Sequence, residues 1–422
     1  MNSLRDRLYR FLRSTERYTK TDMVYLLKNG GWLVMGQLSG LIFSLGLAFV
    51  FANYAAQDTY GNYKYILAVA SVLGVLSLSD IGTAVTRAVA RGEEGTLRQG
   101  FSLSLRWSGA ILIVGGVTSA YYWLHGNAFV SASLALAAIT LPLINSFSLY
   151  DAFLTGRQAF RTNTLYTIVS NAVTTLALIV TLLFFSERAL ILIAVYFITT
   201  VASDSLWYAI TVRQVSNEKA DPHLGRYSAH LSLMRFIDTV TEKIDAIVVF
   251  ILLGPVQLAV YAFAIAIPEQ FRGIMKSLAT ISLARFSMRP VDEIRSTIRR
   301  RLVLLASAAG AATLTYIAIA PSLFHHLFPA YLESIPYSRW YALIIIPTAV
   351  AAVLITILQA HQKTKALYFS NNLGQVMLIV LLPLLTYIYG IPGAITAHIL
   401  YRFTVLGFSI WQFSNVGDDR KS

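Results

Sequence analysis

The chain has 422 residues, of which 56% are hydrophobic and only 13% are charged. Soluble globular domains carry about a quarter of charged residues, so this composition excludes an ordinary soluble enzyme. The 34 Lys and Arg residues outnumber the 21 Asp and Glu residues, which gives a net charge of +13. Cysteine is absent, and the seven histidines show no metal-ligand spacing. We therefore predict no disulfide, no metal site and no cofactor.

Twelve apolar stretches of about 20 residues follow one another along the chain. Each is long enough to cross a hydrocarbon core of roughly 30 Å as a helix. They cover residues 30–52, 63–86, 105–124, 128–154, 163–185, 189–212, 231–253, 257–284, 302–327, 337–360, 366–389 and 391–413. The sequence therefore predicts an all-α integral membrane protein with about twelve transmembrane helices.

The basic residues are distributed unevenly over the loops between these stretches. Most of the Lys and Arg residues precede the first stretch or fall in every second loop, whereas the alternate loops hold few. Cytoplasmic loops of membrane proteins carry such an excess, which predicts that both termini are cytoplasmic. The net positive charge is thereby explained by topology, and we predict no nucleic-acid partner.

Two groups of six helices indicate an internal repeat. Gly61-Asn62-Tyr63 opens the second stretch, and Ala259-Val260-Tyr261 occupies the same place in the eighth. We therefore predict two six-helix lobes around a central cavity, as in many transporters. The predicted segments are a cytoplasmic basic amphipathic segment at residues 1–29, an N-terminal lobe at 30–212, a cytoplasmic inter-lobe loop at 213–230, a C-terminal lobe at 231–413 and a cytoplasmic tail at 414–422.

Charged residues interrupt the apolar stretches of the second half. A central charge costs roughly 2.5 to 3.5 kcal/mol on insertion, so such residues mark candidate functional positions. The seventh stretch carries Arg235, Asp238, Glu242, Lys243 and Asp245, largely on one side of the helix. The eighth stretch adds Glu269, Arg272 and Lys276 at helical spacing, and Arg402 lies in the twelfth, one turn after His398.

Two interpretations of these charges stay open. Arg235 with Asp238, and Arg272 with Glu269, can form structural ion pairs. Alternatively, the cations bind an anionic substrate; this set comprises Arg235, Lys243, Arg272, Lys276 and Arg402. The acids are candidates for ion coupling or for structural pairing, and this set comprises Asp80, Asp204, Asp238, Glu242, Asp245 and Glu269.

Two sequence motifs resemble those of a known family. The first is Tyr60-Gly61-Asn62-Tyr63, followed by Leu76-Ser77-Leu78-Ser79-Asp80-Ile81-Gly82 and Arg87. The second is Glu242-Lys243-Ile244-Asp245, followed by Leu253-Gly254 and Tyr261. Both resemble the polysaccharide-export flippases, including O-antigen and exopolysaccharide flippases, of the multidrug/oligosaccharidyl-lipid/polysaccharide exporter superfamily.

This resemblance implies a function and a location. Such flippases move a lipid-linked oligosaccharide, typically on undecaprenyl pyrophosphate, from the cytoplasmic to the outer leaflet by alternating access. It implies that the five cations named above contact the pyrophosphate or acidic sugars. It also implies a bacterial or archaeal cytoplasmic membrane. The expected partners are the lipid-linked glycan, membrane lipids, and glycan polymerase or other polysaccharide assembly proteins.

Alternative functions stay open at this point. An ion-coupled drug or metabolite exporter of the same superfamily would have the same fold. A membrane-bound glycan polymerase or ligase would need a large outer loop with catalytic residues, whereas every predicted outer loop is short. We therefore predict no catalytic residues and no enzyme activity.

Overall fold

The computed structural model describes the backbone of residues 23–185, 188–287, 291–360 and 364–415. Within these ranges, side chains are described except at residues 23–30, 33, 234, 272–297, 299, 301, 359–372 and 414–415. Two predicted segments lie wholly or partly outside the described part of the chain. No side chain of the predicted basic segment at 1–29 is described, and neither is any side chain of the predicted tail at 414–422.

The described chain consists of α-helices and their connections, and no strand occurs in these ranges. The helices are α1 (Met23–Tyr54), α2 (Gln57–Gly74), α3 (Ile81–Ala90), α4 (Thr96–Trp107), α5 (Gly109–Leu124), α6 (Ala128–Phe147), α7 (Leu149–Gly156), α8 (Phe160–Phe185), α9 (Ala189–Val212), α10 (Leu224–Leu253), α11 (Pro255–Ser287), α12 (Val291–Leu327), α13 (Ser334–Tyr341), α14 (Ile345–Ala360), α15 (Thr364–Tyr389) and α16 (Ile391–Asn415). Short 3-10 helices cover Pro329–Tyr331 and Ala342–Ile344. The predicted all-α class is confirmed.

Eight segments of the described residues are long and apolar enough to cross a membrane. They are Val34–Tyr54, Thr96–Leu124, Ala128–Gly156, Phe160–Phe185, Ala189–Val212, Leu302–Leu327, Ser334–Leu358 and Ile391–Phe413. The chain is therefore a multi-pass membrane protein. Helix α10 is absent from this set because five charged residues lie between Arg235 and Asp245, and the total of twelve spans stays a prediction.

Several predicted spans are divided in the structure. The stretch predicted at 63–86 becomes α2 and α3, separated by a turn at residues 75–80. The stretches predicted at 105–124 and 128–154 break at Ser108 and Ser148, whose hydroxyls donate to the carbonyls of Ser104 (2.8 Å) and Asn145 (3.1 Å). Serine hydroxyls that bond to the preceding turn bend helices, which explains breaks that hydropathy does not detect.

The chain forms two compact units. The first consists of the residues up to Ala56 together with Ile66–Val240, and the second consists of Gln57–Tyr65 together with the residues from Thr241 onward. The predicted lobes at 30–212 and 231–413 follow the same order along the chain. The exact bounds of the lobes stay a prediction. The start of α2, predicted in the N-terminal lobe, belongs to the second unit, and the first part of α10, up to Val240, belongs to the first unit.

Each unit has its own apolar core. In the first unit, α3 and α7 contribute Val85, Leu149 and Phe153, all nearly inaccessible to solvent. In the second unit, Ala320 and Ala342 lie in a core formed with α12 and α14. In each unit, the packed helices bury the helix faces that do not contact lipid.

The second unit also contains a tight approach between α2 and α11. A Cβ atom at Gly61 would lie 1.8 Å from the carbonyl oxygen of Pro255, so only glycine fits there. Beside it, the rings of Tyr60 and Tyr331 flank Phe263, with centroid distances of 4.8 Å and 3.9 Å from the Phe263 ring. The glycine of the Gly61-Asn62-Tyr63 motif thus has a packing cause, because α2 begins against the backbone of α11.

The first part of the predicted inter-lobe loop is fixed to the first unit. Glu94 accepts two hydrogen bonds from Arg157 (2.7 and 2.6 Å) and two from the backbone and hydroxyl of Ser216 (2.7 Å each). Arg157 also donates to the carbonyl of Gln214 at 2.6 Å. The Arg157 guanidinium, followed by the Ser216 donors, lowers the pKa of the Glu94 carboxyl to about 2 although partial burial opposes this shift.

Helix α10 begins within the predicted loop because Asp221 forms its first turn. The backbone N–H of His223 donates to the Asp221 carboxylate at 2.8 Å, and the N–H of Leu224 donates to the Asp221 carbonyl. Such an Asx turn provides acceptors for the free donors at a helix start. Arg91 holds the same carboxylate at 2.8 Å. The segment predicted as a loop at 213–230 is therefore helical from Leu224.

Candidate functional site

The second unit contains a buried polar cluster inside its apolar helices. The Asp245 carboxylate on α10 accepts a hydrogen bond from the Tyr261 hydroxyl on α11 at 3.0 Å. Its Oδ2 atom lies 3.7 Å from Nε2 of His398 on α16. Asp245 is 9% exposed and His398 is 7% exposed. An acid and an imidazole at this separation interact electrostatically whenever the imidazole is protonated.

A second acid lies in the same unit and is bound to another tyrosine. The Tyr341 hydroxyl, at the end of α13, donates to Glu269 on α11 at 2.6 Å. The Tyr341 ring packs edge-on against His398, with centroids 5.8 Å apart. Both tyrosines, Tyr261 and Tyr341, are almost fully buried. Four helices thus contribute side chains to one polar cluster, which we call the Asp245–His398 cluster.

Arg402 lies one turn beyond His398 on α16. Its guanidinium packs over the Tyr401 ring at 4.9 Å from the ring centroid. Its Nε atom is buried and has no hydrogen-bond partner among the described residues. A guanidinium presents five N–H donors and stays charged, so a donor left over inside an apolar helix bundle is suited to an anionic oxygen.

The charged stripe of α10 is not uniform in the structure. Arg235, Asp238 and Glu242 are exposed, Lys243 is half-buried, and Asp245 is buried. Ile251, near the end of the same helix, is 61% exposed, as is typical of a side chain that contacts lipid. The stripe therefore has an accessible part and a buried end, and only Asp245 joins the Asp245–His398 cluster.

Two predicted cations are only partly described. Arg272 and Lys276 lie within helix α11, but their side chains lie outside the described residues. Their assignment to the substrate, and the alternative pairing of Arg272 with Glu269, stay predictions.

The first unit contains a different polar group, formed by α7, α8 and α9. Asn163 donates hydrogen bonds to the Asp151 carboxylate and, at 3.3 Å, to the Thr155 hydroxyl. Asp204 is close enough to Asp151 and Tyr150 to interact with both electrostatically. Trp207 donates from Nε1 to the Ser170 hydroxyl at 2.7 Å. Composition and spacing indicated Asp204, but they indicated none of the amide and aromatic residues around it.

Asp80 has local partners. Its carboxylate accepts from the Thr83 hydroxyl at 3.0 Å, and its backbone N–H donates to Ser232 at 3.1 Å. Arg87, two turns later, packs over the ring of Tyr227 at 5.1 Å. These contacts place Asp80 at the start of α3, where it fixes the turn after α2.

Among the described residues, no group of three or more His, Cys, Asp or Glu side chains could hold a metal ion. The clusters above instead combine single acids with tyrosine, histidine, asparagine or tryptophan. Sequence reasoning noted His398 but not its contact with Asp245. It had no means to identify Tyr341, because this contact joins residues far apart in the sequence.

A family model described as "Polysaccharide biosynthesis protein" matches residues 26–288. A search of curated proteins gives no match. Several solved structures have a similar fold. Lipid II flippase MurJ in an inward closed conformation superposes with a TM-score of 0.67 and 12% identity, over 90% of this chain and 86% of that chain.

Other similar structures are transporters of the MOP superfamily. An inward-facing multidrug resistance MATE family transporter has a TM-score of 0.64 and 14% identity, over 91% of this chain and 95% of that chain. A MOP superfamily transporter from Pyrococcus furiosus, described as having a binding pocket of reverse polarity, has a TM-score of 0.55 and 14% identity, over 93% and 94% of the two chains. At these identities the similarity establishes the fold.

Proposed function

Because the chain belongs to the polysaccharide biosynthesis protein family, we propose that it is a flippase for a lipid-linked oligosaccharide. The match covers more than half of the chain, including α2 to α10, and the overall fold is that of MOP-superfamily transporters. In this proposal the protein moves the glycan from the cytoplasmic to the outer leaflet by alternating access, with undecaprenyl pyrophosphate as the carrier. The family match is the observation that carries the proposal.

The diphosphate is the part of this substrate for which crossing the hydrocarbon core is most costly. A doubly anionic group cannot cross hydrocarbon unaided, whereas the polyprenyl tail can stay in lipid. We propose that the cations of α10, α11 and α16 bind it through charge-assisted hydrogen bonds. They are Arg235, Lys243, Arg272, Lys276 and Arg402. The buried and unused Nε donor of Arg402 supports this assignment, and the half-buried Lys243 is consistent with it.

The proposal includes a cellular setting. We place the protein in the cytoplasmic membrane of a bacterium or archaeon, with both termini in the cytoplasm, acting before polymerase and other assembly proteins that use the exported glycan. A flippase changes no covalent bond in its substrate, so the proposal requires no catalytic residue.

A second candidate function is ion-coupled export of a drug or metabolite. The Asp245–His398 cluster favours it, because a buried acid and imidazole can load and release a proton during a transport cycle. The same cluster is equally suited to couple a proton gradient to glycan translocation. The two functions are separated by their substrate, which an experiment in cells can identify.

The first test is depletion of the protein followed by analysis of lipid-linked glycans. We expect a lipid-linked intermediate to accumulate on the cytoplasmic side while surface polysaccharide is lost, and the wild-type gene to reverse both effects. Unchanged glycan together with altered sensitivity to cationic drugs would favour the exporter.

A charge-replacement series tests the proposed cations. We expect export to fall with each replacement of Lys243, Arg272, Lys276 or Arg402 by Gln, and most in the quadruple variant. Arg106→Gln is the matched control, since Arg106 is exposed at the end of α4. Normal export by the quadruple variant at normal membrane abundance would contradict the assignment.

A further inference from the structure

One face of the first unit carries aromatic rings and oxygen acceptors within a short distance of the chain turn between α7 and α8. Asp151 lies on α7, Asn163 and Tyr166 lie near the start of α8, and Asp204 and Trp207 lie in the second half of α9. These helices pack against one another, so the five side chains share the same end of the unit. The cations proposed for the diphosphate lie on other helices, α10, α11 and α16.

The aromatic part of this face is a stacked pair. The rings of Tyr166 and Trp207 lie 4.1 Å apart with an interplanar angle of 12°. The Nε1–H of Trp207 is bound to Ser170, which fixes the indole orientation. Both rings are half-buried, so part of each remains accessible. A fixed and partly exposed aromatic surface favours a ligand with a flat apolar side.

The polar part of the face offers acceptors rather than donors. Asn163 is 8% exposed, and its Oδ1 atom has no hydrogen-bond partner among the described residues. Its amide N–H groups are already used by Asp151 and Thr155. Asp151 is exposed, Asp204 is half-buried, and neither forms an ion pair with a described basic side chain. Asp204 and Asp151 are close enough to interact electrostatically, so a ligand that donates hydrogen bonds to both side chains would be stabilised.

An unpartnered acid in a spanning helix is costly where it meets hydrocarbon. Asp204 therefore indicates that this face meets water or a polar ligand. Phosphate is a poor candidate, because two carboxylates and a carbonyl oxygen would repel it. A sugar ring combines both requirements, since its C–H face packs on aromatic rings while its hydroxyl or amino groups donate to carboxylates and amides.

We propose that Asp151, Asn163, Tyr166, Asp204 and Trp207 form a sugar-binding subsite for the glycan of the lipid-linked substrate. This inference rests on the proposed flippase function and adds that the glycan is recognised separately from the diphosphate. Sugars with several free hydroxyls, or with an amino group, suit the acceptors best; acidic sugars suit them least.

The test measures two affinities on the full-length protein in lipid nanodiscs. The probes are bare undecaprenyl pyrophosphate and the lipid-linked glycan purified from cells depleted of the protein. Wild type is expected to bind the glycan-bearing lipid more tightly. Trp207→Leu and Asp204→Asn should each weaken its binding roughly tenfold while leaving the bare carrier unaffected.

Two further variants control for structure. Trp207→Phe keeps an aromatic face and should retain most of the preference, which separates loss of stacking from loss of folding. Trp107→Leu removes a tryptophan that is 51% exposed at the end of α4 and does not belong to this group, and should change neither affinity.

The outcomes are distinguishable. Failure of wild type to bind either lipid overturns the flippase proposal and this inference together. Equal weakening of both lipids by Asp204→Asn, or an unchanged glycan preference in folded Trp207→Leu, overturns the sugar subsite alone. A last outcome concerns thermal stability in NaCl compared with choline chloride. If NaCl stabilises wild type but not Asp204→Asn, and both proteins keep the same preference for the glycan-bearing lipid, the acids form a cation site. That result would also overturn the sugar subsite.

Discussion

The two units use charged residues in contrasting ways. In the first unit, the described ion pairs Arg157–Glu94, Arg91–Asp221 and Arg98–Glu218 lie in loops and at helix ends. In the second unit, the Asp245–His398 contact lies inside apolar helices. Charges that remain near water contribute mainly by fixing loops, whereas a charge inside a membrane helix is costly and is retained for a reason. The described ion pairs of the first unit therefore anchor loops, whereas the described acid–histidine contact of the second unit lies between membrane helices.

The largest expected effect concerns packing in the second unit. Gly61→Ala places a methyl group 1.8 Å from the Pro255 carbonyl oxygen, so backbone must move. We expect a loss of about 3 kcal/mol or more and sharply reduced membrane abundance. Gly46→Ala on α1 is the control, because nothing lies within 4 Å of its added Cβ. Normal thermal stability of Gly61→Ala in detergent would contradict this account of the Gly-Asn-Tyr motif.

The next effect concerns loop anchoring in the first unit. Glu94→Gln removes the charge that holds Arg157, and we expect a loss of about 1.5–3 kcal/mol at pH 7. Because the folded pKa of Glu94 is lowered from 4.5 to about 2, its contribution is complete above pH 4.5 and is lost as the pH falls through 2.

The difference in melting temperature between wild type and Glu94→Gln should therefore shrink between pH 4.5 and pH 2. Glu93→Gln, in the same loop, removes a more exposed partner of Arg91 and serves as the control. A difference between wild type and Glu94→Gln that does not change over this pH interval would show that the carboxylate is not the group responsible.

A third prediction tests whether the buried contact of the second unit serves transport. Asp245→Asn keeps the size of the side chain and an acceptor for Tyr261 but removes the charge beside His398. We expect translocation driven by a pH gradient in proteoliposomes to fall at least about fivefold, with little change in folding. Asp238→Asn on the exposed part of α10 is the matched control. An equal loss of translocation in Asp245→Asn and Asp238→Asn would contradict a specific transport role for the Asp245–His398 cluster.

The smallest expected effect completes the series. Arg98 and Glu218 approach to 3.5 Å, but their side chains are 56% and 91% exposed. Arg98→Ala should change the melting temperature by an amount equivalent to less than about 0.5 kcal/mol. A loss as large as that of Glu94→Gln would show that exposed loop charges matter more than the comparison of the two units implies.

Several features of the fold could be predicted from the residues alone. The span predicted at 189–212 coincides with α9, and the one predicted at 391–413 differs from α16 by two residues. The division of the stretch at 63–86 was not predicted, because hydropathy measures apolar length and not the turn that Asp80 and Ser232 fix. The start of α10 was missed because Asp221 provides an Asx turn within a charged loop.

The site shows the same limit. Asp204, Asp245 and Glu269 were identified because ionisable residues in apolar stretches are costly. Their surroundings could not be read from the chain, since Tyr341 reaches Glu269 from 72 positions away. The side-chain geometry of Arg272 and Lys276 lies outside the described residues, so their proposed role still depends on sequence alone.

The sequence by itself determined the membrane environment, the helical class and the family, because these follow from the length of apolar runs, the placement of basic residues and local motifs. Tertiary structure alone decided which charges have partners. Asp245 contacts His398, Glu94 binds Arg157, and the Asn163 Oδ1 atom has no hydrogen-bond partner among the described residues. Hydropathy depends on each residue separately, whereas pairing depends on helix packing that brings distant residues within hydrogen-bonding distance.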